Sequence, residues 1–221
     1  MADANTPPRS PALTANGAAL LGLLGITAWP RPWTTYELAK QAKRSVHWVW
    51  PRAERLLYDI PKKLVEQGYA VADPASTGNR RSVQYRITEA GRDAMSDWLD
   101  SEGPPPTFDV EQLIRVFYGE QGTVDQLRRN IDRIGDQAAT ARRQLAEVVA
   151  GIEESGIARR SAVNALSVRL VADLNRTIED WADWARTAVA DWDRPDADWP
   201  DVDWPEAAAI FADVAGARPP H

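Results

Sequence analysis

The stretch that decides the fold is GNRRSVQYRITEAGRDAM, residues 78–95. It opens on a basic turn, and apolar residues then occupy every second position, which predicts a strand buried on one face: Val83, Tyr85 and Ile87. A threonine able to cap a helix and an acid in the first turn follow directly, so a helix is predicted over 88–99. The stretch therefore predicts a hairpin strand with two arginines at its tip, anchored by the helix that comes after it.

The residues before this stretch supply the rest of a small domain. Apolar spacing, capping threonines and helix-breaking prolines predict three helices, within 13–28, over 35–44 and over 51–67, then a strand over 69–73 and a turn over 74–79. Pro61 falls inside the third helix, where it removes a hydrogen bond, so a kink or a helix restart is expected there. Three helices, a two-stranded hairpin and a fourth helix, in this order, are typical of a winged helix-turn-helix domain.

Beyond a proline-rich linker, two long helices are predicted to form a second domain. In the first, apolar residues recur at alternating spacings of three and four: Val124, Leu127, Ile131, Ile134, Ala138, Ala141, Leu145, Val148 and Ile152. The second, over 159–192, repeats the pattern with Val163, Leu166, Leu170, Leu174, Ile178, Trp181, Ala185 and Ala188. Two such helices, facing each other and a partner, are interpreted as the core of a dimer. Packing of the two helices within one chain is the alternative.

These patterns predict a mainly α fold, an N-terminal winged helix-turn-helix with a two-stranded wing followed by an all-helical dimerisation domain. The expected parts are a disordered N-terminal tail, the winged domain, a linker, the dimerisation domain and an acidic tail rich in tryptophan and proline, over 1–16, 17–101, 102–108, 109–192 and 193–221. The repeated Asp-Trp pairs toward the C-terminus are interpreted as a tail that lies against the helical domain with its carboxylates in water. A divalent-cation site is the alternative, but the acids lack the spacing of a calcium loop.

The charge of the chain is unevenly distributed. Its net charge is −6, from 26 basic and 32 acidic residues, yet residues 1–103 hold 13 bases against 11 acids, whereas residues 104–221 hold 13 against 21. Because exposed charges act over a Debye length of roughly 8 Å, a basic patch in the first half matters more for a nucleic-acid partner than the total charge does.

The composition argues against an enzyme, a metalloprotein and a membrane protein. There is no cysteine and there are only two histidines, His47 and His221, and no nucleophile–base pair or glycine-rich phosphate loop is recognisable. The apolar run over 17–29 is too short to span a bilayer of roughly 30 Å, and no basic segment stands directly before it. No cofactor or metal is expected, and a cytoplasmic location is predicted.

Five segments, in this order, resemble the PadR family of bacterial transcriptional regulators. They are ALLGLLG at 19–25, YELAK at 36–40, WPRAERLLYDIPKKLVEQGYA at 50–70, RRSVQYRITEAGR at 80–92 and FDVEQLIRVFYGEQGT at 108–123. The resemblance implies a homodimeric DNA-binding repressor whose winged domain precedes a helical dimerisation domain. We expect its two winged domains to address a near-palindromic operator in double-stranded DNA, with release by a small aromatic or apolar ligand.

The predicted DNA contacts fall on three elements of the winged domain. The third helix is expected to enter the major groove, where Arg52 and Arg55 offer forks of donors to guanine edges and phosphates. The resemblance adds Glu54 and Tyr58, since Tyr58 matches a tyrosine of the family's recognition helix. Further contacts are expected on the second helix, the third helix and the hairpin tip: Tyr36, Lys43, Arg44, Lys62, Asn79, Arg80 and Arg81. A solvated, self-paired surface is the alternative interpretation of these side chains.

Some positions depart from the family's pattern. Ala53 and Arg55 stand where serines are common, and Pro61 stands where a leucine is usual, so the preferred bases and the geometry of the third helix need not be the family's. Trp98 falls where, in some relatives, tryptophans line a pocket for flat apolar ligands; a tryptophan packed in the core is the alternative. The sequence therefore predicts a DNA-binding regulator, with a winged domain that binds another protein as the second possibility.

Overall fold

The computed structural model of the 221-residue chain describes residues 12–26, 31–49, 58–77, 80–107, 110–151, 160–192 and 204–216. The side chains of residues 46, 76, 77, 80, 81 and 205 lie outside this description. The described residues form two compact units. One holds those up to residue 107 together with those of Leu145–Val171, and the other holds the remainder of the described chain.

The described residues of the first unit up to residue 107 form four α-helices and one small antiparallel sheet. The helices are α1 (Ala15–Leu24), α2 (Thr35–Arg44), α3 (Ile60–Glu66) and α4 (Glu89–Asp100), and the strands are β1 (Trp33–Thr34), β2 (Ala70–Thr77) and β3 (Arg80–Ile87). The strand order is β1-β3-β2, with β3 in the centre. One apolar core joins these elements through residues that include Leu20, Leu21, Leu38, Leu64, Tyr69 and Tyr85. The predicted winged helix with a two-stranded wing is confirmed.

Proline and glycine set the two ends of α3. The helix begins at Ile60 with Pro61 in its first turn, where a missing N–H leaves no hydrogen bond unmade. The part of the predicted third helix before it, residues 51–57, lies outside the described residues, so the expected kink or helix restart at Pro61 stays a prediction. Past the other end, Gly68 has a φ of +77°, the left-handed conformation that glycine adopts without steric cost, and the chain leaves the helix there for β2.

The wing is longer than the sequence predicts. β2 and β3 pair in register from Ala70 opposite Ile87 to Thr77 opposite Arg80. The turn predicted over 74–79 is therefore wrong at residues 74–77, which belong to β2, while residues 78 and 79 lie outside the described part of the chain. Pro74 is accommodated because β2 is an edge strand, on which a residue without an N–H need not break the ladder. The sequence also did not predict β1, which at two residues is too short to show an alternation.

Two long helices, α6 (Val124–Ala150) and α7 (Ser161–Ala188), contribute residues to both units. The second unit adds α5 (Glu111–Phe117) and α8 (Pro205–Val214) to them. In its core, residues of α6 pack with residues at the C-terminal end of α7, within the same chain: Leu127, Ile131, Ala182, Ala185 and Val189. The ring of Trp204, just before α8, lies 5.6 Å from the Trp192 ring and 6.1 Å from the Trp184 ring.

The apolar seam of α6 is covered without a second chain. Five of the residues predicted at a dimer interface are buried in the single chain, and two more are half-buried: Leu127, Ile131, Ile134, Ala138 and Leu145, then Ala141 and Val148. This burial favours the intrachain alternative for the α6 seam.

The helix α7 carries two apolar stripes. Its buried stripe consists of Val171, Ala182 and Ala185, continued by Val189 just past the helix end. Its other stripe lies at the N-terminal half, where the predicted interface residue Leu170 is exposed together with Val163 and Leu166, while Leu174 is half-buried. The spacing of apolar residues alone does not show which of two apolar stripes is buried, so the two stripes of α7 are predicted from the sequence as one interface.

None of the described helices combines the length and the hydropathy that crossing a membrane requires. Likewise, the described residues contain no group of three or more His, Cys, Asp or Glu side chains placed to hold a metal ion.

Candidate DNA-binding surface

The start of α2 is fixed by a reciprocal capping box. Thr34 Oγ1 accepts a hydrogen bond from the backbone N–H of Glu37 at 3.2 Å, and the Glu37 carboxylate accepts one from the backbone N–H of Thr34 at 2.8 Å. Arg31 donates to the same carboxylate at 2.6 Å, and its guanidinium lies 4.6 Å from the centroid of the Trp33 ring. Because Trp33 is buried and its strand pairs with β3, these contacts tie the first turn of α2 to the sheet.

The electrostatics of α2 favour an anionic partner. Its only acid is Glu37. Burial raises the pKa of Glu37, but hydrogen bonds from Arg31 and Thr34 lower it by more, so the pKa lies below its ordinary value and the carboxylate is charged at neutral pH. Since Arg31 neutralises that charge, the exposed surface of α2 has a net positive charge from three cations: Lys40, Lys43 and Arg44.

Every predicted DNA contact whose side chain the structure describes lies at the surface of the first unit. Tyr36 of α2 is 75% exposed, and Tyr58, two residues before α3, is 67% exposed. Lys43, Arg44 and Lys62 are exposed as well. These side chains are therefore accessible to a large partner, as contact with a DNA backbone requires.

The register of the wing places the arginine pair at its far end. Arg80 and Arg81 are the first residues of β3, and the opposite end of that strand, Ile87, leads into α4. At about 3.3 Å per residue, the backbone of Arg80 lies roughly 23 Å along the strand from Ile87. The side chains of Arg80 and Arg81 lie outside the described residues, as do Arg52, Glu54, Arg55 and Asn79 altogether.

Side-chain and backbone hydrogen bonds tie the two strands of the wing to each other. At its base, Thr88 donates from its hydroxyl to the carbonyl of Gly68 at 2.7 Å and from its N–H to the carbonyl of Tyr69 at 3.1 Å. Along its length, Arg86 of β3 donates twice to one carboxylate oxygen of Asp73 in β2, at 2.5 Å and 3.0 Å. A hairpin braced in this way can present its tip in a fixed direction.

The structure adds two cations to the predicted set. Lys40 lies one helical turn before Lys43 on α2, and Lys63 follows Lys62 on α3; both are exposed. The signal for Lys40 was in the sequence, since a spacing of three residues places two lysines on one helix face. Trp98, half-buried on α4, has a burial compatible with both of its interpretations, a ligand pocket and core packing.

No protein-family model and no curated protein sequence matches this chain. Solved structures do match it. PadR of Bacillus subtilis in complex with operator DNA has a TM-score of 0.65 at 15% identity, covering 78% of this chain and 98% of PadR. The PadR-like transcriptional regulator BC1756 of Bacillus cereus has a TM-score of 0.66 at 12% identity, covering 85% and 99%. Bacillus subtilis PadR in complex with p-coumaric acid has a TM-score of 0.57 at 18% identity, covering 79% and 98%. The chain therefore has the fold of PadR-like regulators, as the sequence segments predicted.

Proposed function

We propose that this protein is a PadR-like transcriptional regulator that binds double-stranded DNA as a homodimer. The observation that carries the proposal is the set of exposed cations on α2 and α3 of the winged unit, in a chain of net charge −6. Phosphate contacts supply much of the affinity of a protein for DNA, and they need exposed lysine and arginine side chains on one surface. The exposed cations of α2 and α3 are Lys40, Lys43, Arg44, Lys62 and Lys63.

The roles proposed for the elements of the interface follow those of winged helix-turn-helix domains in general. In a winged helix-turn-helix the second helix of the motif enters the major groove, and we propose that role here for α3 and for the sequence segment that precedes it. Arg52, Glu54 and Arg55 are proposed as the side chains that read base edges and phosphates there. Arg80 and Arg81, with Asn79, are proposed to hold the backbone or the minor groove at the tip of the wing.

A homodimer is supported by apolar side chains that one chain leaves uncovered. On α7, Val163, Leu166 and Leu170 are 59, 76 and 60% exposed at spacings of three and four, and on α5 the exposed residues include Leu113, Ile114 and Phe117. Soluble proteins rarely leave such stripes in water unless they mark an interaction site. We propose these stripes, rather than the α6 seam, as the contact between two copies.

Repression, a near-palindromic operator and release by a ligand are further parts of the proposal. Two winged units related by a twofold axis would read two equivalent half-sites. Bacillus subtilis PadR has been solved both with operator DNA and with p-coumaric acid. For the present chain we accordingly propose a small aromatic or apolar inducer, with Trp98 as the side chain that would meet it. A location in the cytoplasm, where the DNA is, belongs to the same proposal.

The test compares two variants of equal net charge in a DNA-binding titration. The variant Arg80→Gln/Arg81→Gln removes the wing cations, and the matched control Arg92→Gln/Arg143→Gln removes two exposed arginines on α4 and α6. The wild type and the control are expected to retain the upstream DNA of the protein's own gene, while the wing variant binds at least tenfold more weakly. If both wing arginines contact phosphates, the dependence of log affinity on log salt becomes shallower by about 2.

If the wing variant and the control retain DNA equally, the wing arginines are not part of the DNA interface. Failure of the wild type to retain any DNA above a non-specific level would favour the other class of function, a winged domain that binds a protein.

A further inference from the structure

A basic cavity lies beside α5 and the first half of α6, entirely within the second unit. Its volume is about 380 Å³, and six of its lining residues carry polar side chains: Arg115, Tyr118, Gln126, Arg129, Asn130 and Arg133. The cavity is open to solvent, since six of its nine lining residues are exposed, and its volume falls within the roughly 300–1,000 Å³ that is usual for small-molecule sites. None of the lining residues is acidic, although the second half of the chain holds 21 acids against 13 bases.

Of the described acids near the cavity in sequence, Asp136 is exposed three residues after Arg133, and four others form side-chain contacts. Asp125 lies 3.6 Å from Arg128, and Asp132 accepts a hydrogen bond from Arg186 at 2.7 Å. Glu111 accepts one from Arg115 at 3.1 Å, so Arg115 is partly neutralised. Glu120 accepts one from the side-chain amide of Gln121 at 3.2 Å.

Arg129 and Arg133 keep their charges available to the cavity. Within the described part of the chain neither forms an ion pair, and the one side-chain hydrogen bond of Arg133 goes to the neutral amide oxygen of Asn130, at 3.3 Å. Two arginines, one turn apart on α6, therefore line a cavity whose described lining residues include no carboxylate. Guanidinium forks match the geometry of phosphate and carboxylate oxygens.

The N-terminus of α6 does not account for this site. Gln126 Oε1 accepts a hydrogen bond from the backbone N–H of Thr123 at 2.9 Å, and Thr123 Oγ1 accepts one from the backbone N–H of Gln126 at 3.2 Å. A Cβ at Gly122 would lie 2.3 Å from that Gln126 oxygen, so the glycine makes the cap possible. The helix end is thus capped by its own side chains, and the positive charge of the cavity comes from the arginines.

We propose that this cavity binds a small anion with two or more negative charges, on phosphate or carboxylate groups. Two unpaired guanidiniums and a third that is partly neutralised require more than one negative charge for balance. The two amide side chains, Gln126 and Asn130, and the Tyr118 hydroxyl supply further polar groups that favour a hydrophilic ligand over a flat apolar one. The proposal does not rest on DNA binding, because every lining residue belongs to the second unit.

Calorimetric titration of the full-length protein tests the proposal with four probes: pyrophosphate, AMP, citrate and benzoate. We expect at least one of the first three probes to bind saturably, at one site per chain. Its affinity should be at least tenfold higher than that of the singly charged benzoate, and it should fall as the salt concentration is raised. Arg129→Gln/Arg133→Gln is expected to lose at least tenfold in affinity, while the charge-matched control Arg92→Gln/Arg143→Gln keeps the wild-type value. The ranking of pyrophosphate and AMP against citrate then tells a phosphate ligand from a carboxylate ligand.

Three outcomes would overturn the proposal: no saturable binding of any multiply charged probe, equal affinity in Arg129→Gln/Arg133→Gln, or benzoate binding as tightly as the others. Circular dichroism establishes that each variant is folded. Should Arg129→Gln/Arg133→Gln fail to fold, Asn130→Asp, which places a carboxylate in the cavity, is expected to weaken binding equally, and unchanged affinity in that variant would count against the site. Retention of DNA in the absence of any probe is scored separately, so failure of one proposal is distinguishable from failure of the other.

Discussion

At Gly91 the backbone of α4 comes as close to the wing as a residue without a side chain allows. A Cβ at this position would lie 2.2 Å from the carbonyl oxygen of Tyr69 and 3.0 Å from Cγ1 of Ile87. Both neighbours belong to the base of the wing, where Thr88 also hydrogen bonds to the Tyr69 carbonyl. Glycine at this position thus allows the helix after the wing to pack directly on the strands.

We predict that Gly91→Ala destabilises the protein by about 1–3 kcal/mol, because the added methyl group forces α4 away from the backbone of residue 69. Gly22→Ala is the matched control. Its Cβ would make an ordinary contact, 3.6 Å from Met95 Cε, and alanine is favoured over glycine inside a helix. Urea unfolding of the two variants measures the difference. If the two variants change the free energy of unfolding equally, the close approach of α4 to the wing does not contribute to stability.

Glu37 predicts a pH dependence at the start of α2. Burial opposes its ionisation, but hydrogen bonds from Arg31 and Thr34 favour it more, and the folded-state pKa is lowered from the ordinary 4.5. A carboxyl with a lowered folded-state pKa contributes stability above its unfolded pKa and loses it as the pH falls through the folded pKa. Glu37→Gln should therefore be less stable than the wild type at pH 7, by about 1 kcal/mol. The gap should shrink as the pH drops below 4.5, and a gap that urea unfolding finds equal at pH 7 and pH 3 would contradict this account.

Among the elements, the exposed half of α7 has the clearest consequence for assembly. Leu166 and Leu170 lie on one stripe, and both are more than half exposed in the single chain. We predict that Leu166→Glu/Leu170→Glu converts a dimer to a monomer of 24.5 kDa, because burying two carboxylates in an apolar contact is costly. Val214→Glu, on the exposed face of α8, is the control and should remain a dimer. Light scattering after size exclusion gives the masses, and a wild type of 24.5 kDa would contradict the proposed dimer.

Some features of the secondary-structure elements could be predicted from the sequence, and others could not. The wing could be predicted because Val83, Tyr85 and Ile87 alternate on a strand with one buried face, and the start of α2 because Thr34 and Glu37 have capping-box spacing. The length of β2 could not be predicted, because a proline such as Pro74 normally indicates a turn. It is compatible with a strand only at the edge of a sheet, and the sequence does not show which strand is the edge. The two stripes of α7 share one heptad-like spacing, so only the packed structure separates the buried Val171 from the exposed Leu170.

The two candidate sites differ in the same respect. The cations of the winged unit were predicted because they follow one another on single elements with recognisable spacing. The basic cavity was not predicted, because its arginines come from two helices whose relative placement depends on packing. The pairing of nearby acids could not be predicted either, since Asp132 binds Arg186, which is more than fifty residues away in sequence. A count of charges along the chain shows only that this half is acidic.

In the whole molecule, the charges are divided between the two halves of the chain. The first half is nearly balanced, with exposed lysines on α2 and α3, and the second half carries the excess of acids. Such a division draws a phosphate backbone toward the winged unit and repels it from the remainder of the chain. The acidic total is therefore compatible with binding of DNA through one surface.

Footprinting of the wild-type protein on the DNA upstream of its own gene tests the central claim most directly. We predict two protected half-sites in near-dyad symmetry, their centres separated by about one helical turn, roughly 10 base pairs, or a multiple of it. Both should lose protection together in Arg80→Gln/Arg81→Gln and keep it in Arg92→Gln/Arg143→Gln. Uniform protection that spreads with concentration, or none at all, would contradict the proposal that this protein is a sequence-specific DNA-binding regulator.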